Sequence, residues 1–291
     1  MNTRLLFRAL RLPFLTVSVL PYIFGAVIAP GALQPGLFLL GLLTVACAHL
    51  AANLANDYGD ARTGVDARDP SYYGFFGGSK LIQEGVLSPS FYGRAAFFFG
   101  LVAVVSGSAA LLAVGSPWLV LVLLAALGLG LAYTLPPLRL SYRRLGEAAV
   151  FLLFGPACVA AGAAVQGWTL ADPAVWLLSL PFGFLASAVL VANEVPDATT
   201  DAFSGKRTCV GLVGRHRGWW LFLFLVGGAL GAIGAGVTLG ILHPAALAVV
   251  LAVPLAWRTG RILQTRYAEK RALLAPSRLA VGLHRDRKSV V

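Results

Sequence analysis

Seven of the twelve acidic residues fall in two short stretches, each directly after a long apolar run. The first reads Asn56-Asp57-Tyr58-Gly59-Asp60, with Asp66 and Asp69 beyond it. The second reads Asn193-Glu194-Val195-Pro196-Asp197, then Asp201. Both contain Asn-x-x-x-Asp, and the second takes one more step of four. On a helix, steps of four put side chains on one face. Carboxylates and carboxamides are hard oxygen donors, and Mg²⁺ shares such donors with substrate phosphates. Two clusters of this kind at the mouth of an apolar protein make a site for Mg²⁺ and a polyphosphate. Arg62, Arg68 and Lys80 accompany the first cluster; Lys206, Arg207, Arg215 and Arg217 accompany the second. Carboxylates can hold the cation while Lys and Arg take the remaining phosphate oxygens.

The elements that must carry these residues are membrane spans. The chain of 291 residues is 58% hydrophobic and 12% charged, about half the charge of a soluble domain. Apolar runs long enough to cross a bilayer fall near 12–30, 35–56, 91–114, 117–135, 147–167, 174–194, 218–241 and 243–257. The expected fold is an all-α, polytopic transmembrane helical bundle with eight spans, the third and fourth separated only by Gly115-Ser116. No linker divides it. Arg4, Arg8 and Arg11 before the first run suit a retained helix better than a cleaved leader.

With a cytoplasmic amino terminus, all 23 Lys and Arg residues fall on the cytoplasmic side or at its edge. The opposite loops at 31–34, 115–116, 168–173 and 242 hold none. This is the positive-inside pattern. The net charge of +11 is then a topology signal with some affinity for membrane lipid, and no nucleic acid partner is indicated. Both acidic clusters land on the cytoplasmic side.

Several residues carry plainer expectations. Cys47, Cys158 and Cys209 lack metal-ligand spacing and receive no role. His49 shares the helix face of Asn53 and Asp57 and is read as a hydrogen-bonded neutral histidine. Glu147, opening a helix, is read as a cap favoured by the helix dipole. Arg139, Arg143 and Arg144 are read as topology anchors, and Trp168, Trp176, Trp219 and Trp220 as interface aromatics.

A set of ordered segments runs along the chain, starting with Arg11-x-Pro13. Asn53-Leu-Ala-Asn56-Asp57-Tyr58-Gly-Asp60 follows, with Gly64, Asp66 and Gly77-Gly78-Ser79. Tyr133-Thr-Leu-Pro136-Pro137, Leu145-Gly146-Glu147, Asn193-Glu194 through Asp197 and Asp201, and Gly205-Lys206-Arg207-Thr208 complete it. In these segments the chain resembles the UbiA superfamily of intramembrane aromatic prenyltransferases, and within it the 1,4-dihydroxy-2-naphthoate polyprenyltransferase branch of menaquinone synthesis. In the first motif the position four beyond Asp60 is Gly64 and the next acid is Asp66, which leaves open which of Asp57, Asp60 and Asp66 ligate metal.

The resemblance implies Mg²⁺-dependent transfer of a polyprenyl group from an allylic diphosphate to an aromatic acceptor, most simply 1,4-dihydroxy-2-naphthoate. Homogentisate, another phenol or a lipid are acceptors of the same class. It implies Asp57, Asp60, Asp197 and Asp201 as catalytic metal ligands. Asn53, Asn56, Arg62, Asp66, Lys80, Tyr133, Asn193, Lys206 and Arg207 become substrate-binding residues, and Tyr58, Tyr133 and Phe154 candidate walls for an allylic cation. It places the protein in a bacterial inner (cytoplasmic) membrane with the active site facing the cytoplasm. A secondary transporter is the rival from another class, but its polar site belongs near the bilayer midplane, whereas these acids gather at one edge. The superfamily has nine spans. Here the ninth, expected near Leu273-Leu274-Ala275-Pro276, gives way to the charged tail 285–291, so the family domain is expected over 1–284, with the tail an atypical, foreign end.

Overall fold

A computed structural model describes residues 3–64, 72–74 and 76–282. Asp66 and the tail 285–291 lie outside them. The described residues form helices without strands. They comprise α1 (Thr3–Ala9), α2 (Thr16–Val27), α3 (Pro35–Thr63), α4 (Pro89–Ala113), α5 (Leu119–Ala132), α6 (Gly146–Leu152) and α7 (Cys158–Val165). There follow α8 (Pro173–Phe203), α9 (Cys209–Val213), α10 (Gly218–Thr238), α11 (Val253–Thr265) and α12 (Leu274–Gly282).

Proline at the first helical position opens α3, α4 and α8, where its missing N–H costs nothing. The residue before it supplies the cap in two cases. Ser88 accepts from the Phe91 N–H at 3.2 Å, and Asp172 from the Ala174 N–H at 2.8 Å, each satisfying an otherwise orphaned donor.

Six of these helical stretches are long and apolar enough to cross a membrane, and a seventh follows if the bent pair Thr3–Ala9 and Leu12–Val27 forms one span. The surface agrees. Phe97, Leu121 and Leu251 are 73%, 70% and 80% exposed, a wide apolar exterior that belongs against lipid.

The sequence-based spans need three adjustments. Ahead of the first, α1 meets the stretch Leu12–Val27 at 53°, so the span opens on a bend at the turn Leu12–Leu15. Arg8 and Arg11 on that side reach into the acidic region, donating to the Ser79 carbonyl and the Asp57 carboxylate. The fourth shrinks to the short apolar helix Leu119–Ala132. The sixth runs on to Phe203, because polar side chains at the end of an apolar run stop the burial in lipid without stopping the helix.

Close approach is made by small residues. A Cβ on Gly25 would collide with the Val159 carbonyl, and one on Gly162 with the Tyr22 carbonyl. Glycine at both places lets α2 and α7 pack backbone to backbone. Between α6 and α7 the chain takes one π-helical turn, Leu153–Ala157, around Pro156. Its Phe154 packs 5.0 Å from the ring of buried His49, whose Nδ1 is 2.8 Å from Ser18 Oγ. His49 is thus hydrogen-bonded, as expected.

Candidate active site

The acidic residues occupy the carboxyl ends of α3 and α8, and each set stays on one continuous helix. Asn53, Asn56, Asp57 and Asp60 lie in the last turns of α3. Asn193, Glu194, Asp197 and Asp201 lie in those of α8.

A short loop ties the two ends together. The Ser79 N–H donates to Asp57 Oδ2 at 3.2 Å, and the Gly77 N–H to Asp197 Oδ2 at 2.9 Å. Two residues of chain span at most about 7 Å, so Asp57 and Asp197 flank one loop. Gly77 has a φ of +75°, which a side chain would resist. A Cβ there would also stand 3.6 Å from Lys80 Cε and 3.9 Å from Asp197 Oδ1. Lys80, 3% exposed, therefore shares the glycine's surroundings with Asp197.

Lysines bind the second end. Lys206 Nζ is 3.8 Å from Asp201 Oδ1, and Lys270 Nζ is 3.9 Å from Asp197 Oδ1. Burial opposes the Lys206 charge, but Asp201, Asp60, Tyr133 and Glu194 outweigh it, and its pKa is raised well above the ordinary lysine value. Lys206 therefore feels carboxylates from both helix ends. At the first end Arg11 reaches Asp57 Oδ1 at 3.5 Å, and the Tyr142 hydroxyl donates to Asp60 Oδ1 at 3.0 Å. Burial, then the neighbouring Asp60 charge, pushes the Tyr142 hydroxyl up to about 12. It stays a donor at any physiological pH.

Whether these residues fit Mg²⁺ turns on the donor set. Among the described residues no three His, Cys, Asp or Glu side chains converge closely enough to hold an ion by themselves. Mg²⁺ seldom asks for that, taking one or two carboxylates and completing its shell with water and substrate phosphates. Asn193 Oδ1 is a buried oxygen without a hydrogen-bond partner, a costly state unless a ligand satisfies it, whereas the Glu194 carboxyl is partnered by that of Glu147. Asn53 Nδ2 is also buried and unpaired, an N–H donor suited to a phosphate oxygen rather than to the cation. The donors fit.

The UbiA prenyltransferase family model matches residues 18–280. The chain belongs to that family. It is 32% identical over 206 residues to the 1,4-dihydroxy-2-naphthoate octaprenyltransferase of Escherichia coli, covering 66% of this chain and 65% of that protein. It is 29% identical over 219 residues to the 2-carboxy-1,4-naphthoquinone phytyltransferase of Synechocystis, covering 72% and 66%. The chain thus matches just under two thirds of the length of these relatives. A UbiA homolog from Archaeoglobus fulgidus bound to GPP and Mg²⁺ superposes with a TM-score of 0.68 at 19% identity over 95% of each chain. The apo UbiA homolog from Aeropyrum pernix gives 0.67 at 16% identity, over 97% of this chain and 98% of that one. These two likenesses establish the UbiA fold.

Within this family member the expected site residues part into two groups. Asp57, Asp60, Lys80, Tyr133, Asp197, Asp201 and Lys206 gather around the two helix ends, with Asn53, Asn56 and Asn193 one to two turns inward. Arg62 and Arg207 line a neighbouring cleft with Tyr142, whose hydroxyl bonds Asp60, and the Arg62 guanidinium bonds the Tyr58 hydroxyl at 3.1 Å.

Glu147 lies in the first turn of α6, where its charge favours the helix dipole, but its hydrogen bond goes to another helix. Its Oε1 accepts from the Cys209 N–H at 2.7 Å, closing the first turn of α9 instead. Burial, then Glu147, pushes the Cys209 thiol up to about 12, so Cys209 is no nucleophile. Sequence reasoning missed Lys270, Tyr142, Glu194 and the contact of Arg11 with Asp57. Glu194 adjoins a selected residue and Arg11 opens the first matching segment, so both had a signal. Lys270 and Tyr142 had none.

Proposed function

We propose that the protein transfers a polyprenyl group from an allylic diphosphate to an aromatic acceptor in a Mg²⁺-dependent reaction, with 1,4-dihydroxy-2-naphthoate as acceptor. The single observation that carries this reading is the convergence of two acidic helix ends on one loop and one lysine. Asp57 and Asp197 accept from Ser79 and Gly77, while Lys206 answers both Asp60 and Asp201. The naphthoate acceptor follows the names of the bacterial relatives. The prenyl diphosphate and Mg²⁺ follow the ligands of the Archaeoglobus homolog.

Asp60, Asp197 and Asp201, with the Asn193 side-chain oxygen, would hold Mg²⁺; Asp57 is the further carboxylate at the first end. Bound there, Mg²⁺ would neutralise diphosphate charge and make it a better leaving group. Lys80, Lys206 and Lys270 supply the fixed positive charge that binds and orients the diphosphate. The allylic C–O bond breaks with its electron pair going to the diphosphate. The acceptor ring then attacks the allylic carbon and expels a proton, or carbon dioxide where its carboxylate leaves. Tyr133 and Tyr58, beside the acids, offer aromatic faces to the cation. The chain would lie in the bacterial inner membrane with eight spans, its amino terminus and acidic ends at the cytoplasmic face, and the polyprenyl tail among the apolar helices.

The test is transfer itself. Membranes containing the chain would receive radiolabelled polyprenyl diphosphate, 1,4-dihydroxy-2-naphthoate and Mg²⁺, with and without EDTA. Labelled prenylated naphthoquinol that disappears with EDTA supports the proposal. Absence of product, with the folded protein verified in the membrane, sinks the naphthoate assignment.

A further inference from the structure

Beside the acidic site lies an open cleft of about 750 Å³ lined by Arg62, Arg139, Arg143, Arg144 and Arg207, with Tyr142 in its wall. These arginines come from three separate parts of the chain. The end of α3 supplies Arg62, the segment after α5 supplies three, and the segment after α8 supplies Arg207. A backbone bond from the Arg144 N–H to the Arg207 carbonyl, 2.8 Å long, pins two of the walls together.

Among the described residues none of the five guanidinium groups pairs with a carboxylate. Their polar contacts are with neutral groups: Arg62 with the Tyr58 hydroxyl, and Arg143 with the Pro137 carbonyl at 3.1 Å. Arg139 Nε is buried with no hydrogen-bond partner. Arg139 and Arg144 also take left-handed backbone conformations, with φ of 46° and 61°, which a residue with a Cβ resists unless its surroundings impose them.

Positive-inside topology explains the sign of these residues. It does not explain why three segments fold to point like charges into one concavity, where mutual repulsion is focused rather than dispersed. We propose that the cleft binds a multiply charged phosphate group. A guanidinium fork matches two phosphate oxygens at once, and one carboxylate would leave most of the charge unanswered. Two sources supply that chemistry: the headgroup of an anionic phospholipid, or free inorganic diphosphate. Tyr142 lines the cleft and donates to Asp60, so the cleft and the acidic site share this wall. The inference rests on charge and shape, and only its diphosphate arm rests on the proposed reaction.

The test uses the full chain without Mg²⁺, in EDTA, so that the proposed reaction plays no part. Inorganic diphosphate is titrated calorimetrically into detergent-solubilised protein. Cardiolipin retention from nanodiscs is read by native mass spectrometry. The variants are R143Q/R144Q for the cleft, R143K/R144K to keep charge without the fork, and R258Q/R261Q as a control on α11. Circular dichroism and gel filtration verify each fold, and R139Q replaces the first pair if it fails to fold. Binding of either probe that weakens about tenfold or more in the Gln cleft variant, recovers in part in the Lys variant and is unchanged in the control supports the site. The probe that responds names the source. Equal binding of both probes to wild type and the Gln variant, or binding of neither to wild type, overturns it.

Discussion

The ends of α3 and α8 carry related Asn-x-x-x-Asp patterns but are held in different ways. At the α3 end the carboxylates are already answered. Asp57, 3% exposed, takes Ser79 N–H and Arg11, and Asp60 takes Tyr142. At the α8 end Asp197 takes the Gly77 N–H at 2.9 Å, and two lysines stand farther off at 3.8 and 3.9 Å, beyond hydrogen-bond length. One oxygen beside them, on Asn193, is buried without a partner. The α3 end thus has its carboxylates held by a guanidinium and a hydroxyl, while the α8 end keeps an unpaired oxygen acceptor for a ligand. Similar motifs can divide the labour of one site, the first fixing geometry and the second receiving the charge that arrives.

That contrast predicts the ranking of substitutions. Asp197→Asn combined with Asp201→Asn removes the carboxylates of the receptive end. We expect prenyl transfer to fall by about 1000-fold or more, far beyond what the accompanying fall in melting temperature explains, measured by product formation and thermal unfolding in detergent. A fall of less than tenfold would remove the asymmetry.

Lys206→Met should cost about 100-fold, since one charge is lost from between both ends, and Lys206→Arg should recover part of it. Because the Lys206 pKa is raised by its carboxylate neighbours, its protonated form persists beyond the ordinary lysine range. Its contribution to stability is then complete below the unfolded lysine pKa of about 10.4 and is lost only as pH rises through the higher folded value. Unfolding followed from pH 7 upward should show wild type and Lys206→Met differing by a constant amount until that range, then converging. Convergence near neutral pH would contradict the assignment.

Asp57→Asn should act in the opposite sense to the first pair. It loses the charge that Arg11 and the Ser79 N–H address at a buried position, so stability should fall by about 1–3 kcal/mol, while transfer by the protein that remains folded drops less than in the Asp197 and Asp201 variant. The comparison sharpens if melting temperature moves more than activity, and it breaks if activity moves more. Tyr142→Phe should be mildest, about three- to tenfold in transfer, because it frees Asp60 from one neutral donor without removing the carboxylate.

Much of this arrangement was legible in the residue order. The steps of four in Asn193, Asp197 and Asp201 announced a helix continuing past the apolar run, and α8 does continue to Phe203. The apolar run ended at 194 because hydropathy records burial in lipid, not backbone hydrogen bonding. Membership of the family followed from ordered motifs. What escaped was long-range. Lys270 stands in a run with Arg266 and Arg271, and nothing local marks it as the one that reaches Asp197. Tyr142 sits in an irregular segment without periodicity, and its bond to Asp60 spans 82 residues. The bend between α1 and α2 was hidden because it falls just before the apolar run, where nothing local shows Arg8 and Arg11 being drawn toward Ser79 and Asp57. The arginine cleft escaped for a related reason, as each of its segments alone reads as an ordinary topology anchor.

The central claim is that both helix ends grip one diphosphate, and a double-mutant cycle on ligand binding addresses it directly. Wild type, Asp60→Asn, Asp197→Asn and the double variant would be titrated with a non-hydrolysable prenyl thiodiphosphate in the presence of Mg²⁺. If one ligand bridges the ends, the two losses should be non-additive, with a coupling of about 1 kcal/mol or more. Losses that simply add, within about 0.5 kcal/mol, would mean that the two ends act on the ligand independently and would contradict the account.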